Sequence, residues 1–382
     1  MADILPTTKN ILIVAGDPSG DLHGAGLIKA LKKIDPEISV AALGGKRMQE
    51  VSDRFIYNLV SLGAAGFAEP LRRLFLWIRL IALVRRYLDE KRPACVVSID
   101  FYGFNHQVLG LAAHRKIPAF YYISPQVWAS RPARAQHLAR LVRHMIVILP
   151  FEEELYRKIG AGCTFVGHPL LDILPEPAKP QVRPPDYQWK IGLLPGSRPQ
   201  EIARHMPVFW KAFLQVRDVF PKAKAYIFAA PEIPDEMILS ACRPAGTPDF
   251  EIVRESNYEH RAQLDIAITS SGTATLENAL LGVPMAVVYK LPWFTYQVAK
   301  HVIKIPYISL VNILVKKPLV KEYIQNAAVP EAISGQIMGL LQNPDRLAAM
   351  RSELLALRKM LGAPGAAAKA AEIIASKTFS TR

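Results

Sequence analysis

Cysteine is scarce in this chain. Three thiols, Cys95, Cys163 and Cys242, lie far apart among 382 residues, and no two have the spacing of a metal knuckle or a redox pair. That excludes a disulfide scaffold and points to a reducing compartment. The nine histidines form no H-E-x-x-H pair, so no metal cluster is legible and neither a metal nor a cofactor is expected. Long apolar runs are missing too. None reaches the ~18 residues of a membrane span, although hydrophobic residues make up 51% of the chain, enough for a large core. The opening MADILPTTKN has no basic stretch followed by an apolar one, so no secretory signal is read and a cytoplasmic location is expected. Acids are outnumbered, 33 against 47 Lys and Arg, for a formal charge of +14. Such a surface suits nucleic acid, an anionic membrane or phosphorylated ligands. The RNP pattern, zinc-finger spacing and basic zipper are absent, so no nucleic-acid partner is expected and the other two readings gain.

What is present is an alternation of short apolar strands and helical stretches. In the first half the strands are ILIVA (11–15), ISVAAL (38–43), ACVVSID (94–100), AFYYIS (119–124) and HMIVILP (144–150). The proline-dense LPEPAKPQVRPPD (174–186) then reads as an extended linker, because neither helices nor central strands accept that many prolines. After it come WKIGLLP (189–195), KAYIFA (224–229), DIAITS (265–270) and PMAVVY (284–289), and then an Ala/Leu-rich helical tail. The pattern predicts an α/β protein of two doubly wound, Rossmann-like halves, 1–173 and 187–344, joined by the linker.

In open α/β sheets ligands bind beyond the carboxyl ends of strands. In the second half, LLPGSRPQEI follows a strand: Gly196 permits close backbone approach, Ser197 offers a hydroxyl, and Arg198 offers a forked donor for phosphate oxygens. After another strand, SSGTATLE (270–277) places Ser271, Gly272 and Thr273 at a helix N-terminus, which attracts anions. Glu277, a turn further on, is placed to accept hydrogen bonds from a sugar's hydroxyl pair. This half therefore reads as the nucleotide-sugar side.

The first half carries acids in the equivalent loops. GDPSGDLHGAG (16–26) is neither a dinucleotide fingerprint nor a P-loop. Its carboxylates, Asp17 and Asp21, would repel a pyrophosphate but suit hydroxyls, so Asp17, Ser19, Gly20 and Asp21 read as an acceptor-side wall. The competing reading makes Asp21 a helix cap. Asp100 ends a strand among aromatics, where partial burial would raise its pKa and make it a better base. Asn105 reads as a supporting polar contact. His168, just before the linker, reads either as a phosphate contact or as packing.

One stretch stands apart. EPLRRLFLWIRLIALVRRYLDEKRP (69–93) mixes five arginines within 72–86 with a nearly continuous apolar surface. The arginines exclude a simple span. The mixture fits a helix lying in an anionic membrane interface, with Arg72, Arg73, Phe75, Trp77 and Arg79 in contact; the alternative is a core helix with solvated arginines.

Taken in order, AGDPSGD (15–21), SID…FN (98–105), YYISPQVWA (121–129), PFE (150–152), FVGHPL (165–170), LLPGSRPQEI (193–202), SSGTATLE (270–277) and YISLVN (307–312) resemble the lipid A disaccharide synthases, inverting glycosyltransferases of the GT-B architecture, in which two Rossmann-like domains face across a cleft. The resemblance implies UDP-2,3-diacylglucosamine as donor, 2,3-diacylglucosamine 1-phosphate as acceptor, and work at the inner face of the inner membrane. It implies Asp100 as base, Asn312 in the donor pocket, and a C-terminal tail, from about 345 to 382, returning to the first domain, with crossing to a partner subunit left equally open. The oligomeric state, monomer or homodimer, is left open. Departures from the family pattern include Asp17 for Glu, YGFN (102–105) for a PDFN-like stretch, WASR (128–131) for WAWR, Val311 for Pro, KKP (316–318) where a Gly-Arg pair is common, and Lys321 for Pro. The competing readings are another GT-B UDP-sugar enzyme, a transferase or epimerase, and a lipid-binding relative without turnover.

Overall fold

The computed structural model describes residues 9–60, 70–126, 132–177, 187–242, 250–255, 257–302 and 306–379. The chain divides into two compact units, one of residues 1–172 and 361–382 and the other of residues 173–360.

The first unit is a seven-stranded parallel sheet. Its strands are β1 (Asn10–Ala15), β2 (Ser39–Gly44), β3 (Arg54–Asn58), β4 (Cys95–Ile99), β5 (Ala119–Tyr122), β6 (His144–Val147) and β7 (Cys163–Phe165). They lie in the order β3-β2-β1-β4-β5-β6-β7. The reversal between β1 and β4 is the switch point at which such sheets open toward a ligand. β1, β4, β5 and β6 are buried almost throughout, as expected for strands covered on both faces.

The second unit repeats the plan with six parallel strands: β8 (Lys190–Leu194), β9 (Lys224–Phe228), β10 (Phe250–Val253), β11 (Ile266–Ser270), β12 (Met285–Tyr289) and β13 (Lys321–Ile324). Their order is β10-β9-β8-β11-β12-β13, with the switch between β8 and β11. The phosphate-type loops therefore follow the two strands at the switch.

The tail departs from expectation. The helix Pro344–Met360 stays in the second unit, and the return to the first begins at Leu361. Its last helix, Ala366–Phe379, packs along Pro18–Ile34. Alanines make this close approach feasible: Ala366, Ala370 and Ala371 are fully buried, and a Cβ on Gly26 would sit 3.8 Å from that of Ala367. Asp172 caps the helix by accepting the N–H groups of Gly365 and Ala366. Most of the Pro-rich linker, 178–186, lies outside the described residues. No helix among the described residues is long and apolar enough to cross a membrane.

Candidate active site

β4 ends at Ile99, and the next two residues, Asp100 (φ 42°) and Phe101 (φ 47°), are both left-handed. Non-glycine residues adopt this conformation at a cost of about 1–3 kcal/mol, and it persists only where the surroundings hold it. The Asp100 N–H donates to the Ile123 carbonyl at 3.1 Å. The Asp100 carbonyl accepts from the Tyr121 hydroxyl at 2.6 Å and from Asn105 Nδ2 at 2.8 Å. Asn105 also donates to the Ile99 carbonyl at 3.0 Å. Asn105 is thus fully buried and shapes the turn, its polar contacts made to the backbone of Ile99 and Asp100.

The turn projects the Asp100 carboxyl into a site where burial, reinforced by the charge of Asp17, pushes its pKa up to about 7. A Cβ on Gly16 would come within 2.0 Å of the Phe101 ring, so the glycine makes room for that ring. Asp17 is the N-cap of Pro18–Ile34 and accepts from the N–H of Gly20 at 2.6 Å and from Ser19 Oγ at 3.3 Å. Gly16 and Gly20 in the opening loop therefore clear space for an aromatic ring and a carboxylate.

Two first-half residues take the structural alternative that their sequence left open. Asp21 is buried and accepts the N–H groups of Gly45 (2.7 Å), Arg47 (3.1 Å) and Met48 (3.0 Å). It caps the helix Lys46–Val51, a different helix from its own, and its oxygens are engaged by backbone. His168 is also buried; its Nδ1 accepts the Leu170 N–H at 3.2 Å, and its backbone N–H donates to the Leu361 carbonyl. Burial, with His23 nearby, pulls its pKa down to about 3. The ring is neutral and packed and offers no charge to a phosphate.

In the second unit, Gly196 takes φ 122°, and a Cβ there would meet the Glu201 carboxylate at 2.5 Å. Glu201 accepts the N–H groups of Ser197 and Arg198 at 3.1 and 3.3 Å and pairs with the Arg198 guanidinium at 3.2 Å. The Arg198 side chain is nonetheless 75% exposed. His205, unremarked in the sequence, braces this loop. It links Nδ1 to the Pro195 carbonyl (2.7 Å) and accepts the Lys290 N–H on Nε2 (3.1 Å), which fixes the Nδ1–H tautomer.

Gly272 leads into the helix Thr273–Leu280 without a side-chain cap on the first-turn N–H groups. Ser271 Oγ donates to the Ile308 carbonyl at 3.0 Å, and Thr273 begins the helix. Glu277 is ion-paired with Arg261 and accepts from the Tyr258 hydroxyl at 3.3 Å. The Arg261 guanidinium in turn lies over Phe228 (5.1 Å) and Tyr258 (5.2 Å). Tyr258 and Arg261 carry no motif signal, since they sit on a short surface turn.

Asn312 is not a pocket residue. It is fully buried, donates from Nδ2 to the Val320 carbonyl and to Glu322 (both 2.8 Å), and accepts the Val320 N–H on Oδ1 at 3.0 Å. Glu322 also gathers the N–H groups of Ile308 and Ser309. The pair ties the 306–312 segment, which holds Ser271, to β13.

The basic helix spans Pro70–Lys91. Phe75 is 71% and Ile78 56% exposed, and Arg79 is exposed beside them. Trp77 turns inward, edge-on to Phe104 at 5.2 Å and tilted against Phe101 at 6.4 Å. It is partly buried, packed against the core of the first unit. The side chains of Arg72 and Arg73 lie outside the described residues, as does the 127–131 part of the aromatic motif. A recess of about 340 Å3, lined by Gln136, Ala139, Arg140, Lys158, Ile159 and Gly160, holds none of the residues singled out.

Comparison with known proteins covers nearly the whole chain. Residues 11–376 match the family model described as lipid-A-disaccharide synthetase. The lipid-A-disaccharide synthase of Syntrophus aciditrophicus is 37% identical over 369 residues, covering 95% of this chain and 96% of that one. The synthase of Thiobacillus denitrificans is 36% identical, covering 95% and 98%. Among solved structures, UDP-GlcNAc 2-epimerase from Neisseria meningitidis bound to UDP-GlcNAc aligns with a TM-score of 0.62 at 13% identity, covering 96% of this chain and 99% of that one. Acinetobacter baumannii MurG aligns at 0.56 and 16% identity, covering 96% and 98%. At those identities the structures speak for the fold, which is GT-B.

Proposed function

The chain belongs to the lipid-A-disaccharide synthetase family and is a UDP-sugar glycosyltransferase, and from that premise we propose how its residues divide the reaction. The donor is UDP-2,3-diacylglucosamine and the acceptor 2,3-diacylglucosamine 1-phosphate. The products are the β-1′,6-linked disaccharide 1-phosphate and UDP.

The observation that carries the mechanism is the Asp100 carboxyl, held at a strand end with a pKa of about 7. A base poised there is half ionised near neutrality and strong enough to assist a hydroxyl. Asp100 takes the proton of the acceptor 6-hydroxyl as that oxygen attacks the donor's anomeric carbon. The bond to the diphosphate oxygen breaks on the opposite face, its electron pair leaves with UDP, and the configuration inverts. Arg198, the Ser197 hydroxyl and the uncapped N–H groups after Gly272 meet the charge that develops on the diphosphate. Glu277, oriented by Arg261 and Tyr258, holds the ribose hydroxyls. Asp17 acts through its charge on Asp100.

Phe75, Ile78 and Arg79 form the contact with an anionic bilayer, where the acylated substrates reside. This supports a peripheral location on the inner face of the inner membrane.

The test is UDP release by the purified protein with both substrates in detergent, beside Asp100→Ala. Acceptor-dependent release in wild type, reduced at least ~100-fold in the variant, is the expected result. Equal release by both proteins would remove Asp100 from the mechanism. Silence from folded wild-type protein across acyl lengths would overturn the reaction itself.

A further inference from the structure

The roles above leave one part of the acceptor unrecognised: the phosphate on its C1. A phosphate monoester carries a charge of about −1.5 to −2 and three strong acceptor oxygens. Something in the acceptor unit must neutralise it, and the acids at positions 17 and 100 do the opposite.

Two helices of this unit, Tyr102–His114 and Pro132–Leu141, supply the missing charge. The Arg134 guanidinium lies over the Tyr102 ring at 4.7 Å. Tyr102 stacks on His106 at 5.5 Å and 28°, and His106 meets His137 at 4.8 Å. Arg134 and His106 thus flank the Tyr102 ring, and His137 meets His106 in turn. Among the described residues no carboxylate pairs with any of the three. The charged groups felt by His106 are His137 and Arg134, both of which disfavour its protonation. Arg134 carries the standing positive charge of the row, and an anion bound beside it would offset the burial and repulsion that keep His106 unprotonated.

The row begins at the catalytic turn. Tyr102 is two residues beyond Asp100. The Tyr121 hydroxyl, which donates to the Asp100 carbonyl, also lies in the electrostatic field of Tyr102. Tyr102 and His106 occupy the first turns of their helix, whose positive end adds to the field.

We propose that Arg134, His106 and His137 bind the phosphate monoester of the acceptor sugar while Asp100 engages the same sugar's 6-hydroxyl, an inference that rests on the synthase reading. The chemistry fits this ligand. A guanidinium held over the Tyr102 ring still has N–H groups to offer two phosphate oxygens. The ring also pre-orders the long side chain, so little freedom is lost on binding. Each imidazole adds one donor, and a bound dianion favours its protonated form. A membrane phospholipid offers the same phosphorus chemistry as a diester of single charge, and the test separates the two sources.

The experiment titrates glucosamine 1-phosphate into the full-length protein, followed by phosphorus NMR, with UDP present to occupy the donor loop and glucosamine as control. Wild type, Arg134→Gln, Arg134→Lys and the His106→Gln/His137→Gln double variant are compared. Saturable binding in wild type, weakened about tenfold or more in Arg134→Gln and less in Arg134→Lys, is the expected result. In turnover, wild type prefers the phosphorylated acceptor over its dephosphorylated form. Arg134→Gln loses that preference through the acceptor KM and leaves the donor KM alone. Unchanged glucosamine 1-phosphate binding in folded Arg134→Gln would overturn the proposal. So would a loss confined to binding of phosphatidylglycerol vesicles, which would give the cluster to the membrane. If wild type binds glucosamine 1-phosphate through Arg134 yet releases no UDP, the synthase reading fails and this site stands.

Discussion

Asp100 and Asp21 are both acids beside glycine-rich or aromatic turns, and nothing in their sequence neighbours tells them apart. Backbone N–H groups separate them. Three of these converge on Asp21, whereas Asp100 sits where burial and Asp17 oppose its charge. The consequences are opposite in sign. The folded pKa of Asp100, about 7, lies above its ordinary value of 3.8. The folded chain therefore keeps a proton that the unfolded chain has lost between those two pH values. This contribution to stability is full below about pH 4 and is lost as pH rises through 7. Asp100→Asn removes the buried charge, so at pH 8 it should be more stable than wild type by about 2–4 kcal/mol while being inactive. The gain should vanish near pH 4, and denaturant melts at both pH values check it. In wild type, turnover should fall about tenfold per pH unit below 7, as the base is protonated. Asp21→Asn puts an amide NH2 among N–H donors and should cost about 1–3 kcal/mol with the acceptor KM unchanged; a raised KM at intact stability would restore Asp21 to the substrate wall.

At the scale of elements, the nine strands legible in the sequence are the nine inner strands of the two sheets, and the four missed are all edges. Among the described residues β3 (RFIYN), β7 (CTF), β10 (FEIV) and β13 (KEYI) each have a neighbour on one side only. An inner strand of a parallel sheet is covered on both faces and must be an apolar run, which composition reveals. An edge strand is half-exposed, short and charged, and looks like loop. The site follows the same rule. Loops defined by glycine and strand ends, such as 196–198 and 271–273, are legible. Bracing by His205, Arg261 and Glu322 is not, because it joins residues distant in sequence. The helix Pro70–Lys91 shows how far periodicity reaches. Its basic, apolar character is plain, but which apolar side chains face out is not: Phe75 and Ile78 do, and Trp77 does not. Phe75→Ser with Ile78→Ser should cut binding to anionic vesicles several-fold at an unchanged melting temperature, as each removes an exposed apolar contact. Trp77→Ala should do the reverse, costing about 2–4 kcal/mol and displacing Phe101 and the Asp100 turn. Vesicle flotation and thermal melts on the two variants distinguish the faces.

For the whole molecule, the two units repeat one plan with opposite chemistry. One gathers carboxylates at its sheet's switch point and the other gathers N–H groups, hydroxyls and an arginine, a division that the loop residues alone make visible. The tail boundary is not visible in that way. Pro344–Met360 is an Ala/Leu-rich helix and Ala366–Phe379 an Ala-rich one, and only burial against Pro18–Ile34 assigns the second of them to the first unit. A chain ending at residue 360 loses the fully buried Leu361, Ala366, Ala370, Ala371 and Ile374. Calorimetry of that truncation should show the first unit's transition lowered by many degrees and the second unit's left in place, because the lost area serves one core alone. A single shared downward shift would mean that the units melt together. The same closure sets an order of events on the ribosome. The helix Pro18–Ile34 emerges early, and its partner is translated only after the whole second sheet. Throughout that interval the nascent chain carries a bare apolar stripe along its first helix. A ribosome stalled at residue 360 should present that stripe to a chaperone, and a synthetic peptide of residues 361–379 should displace the chaperone from it.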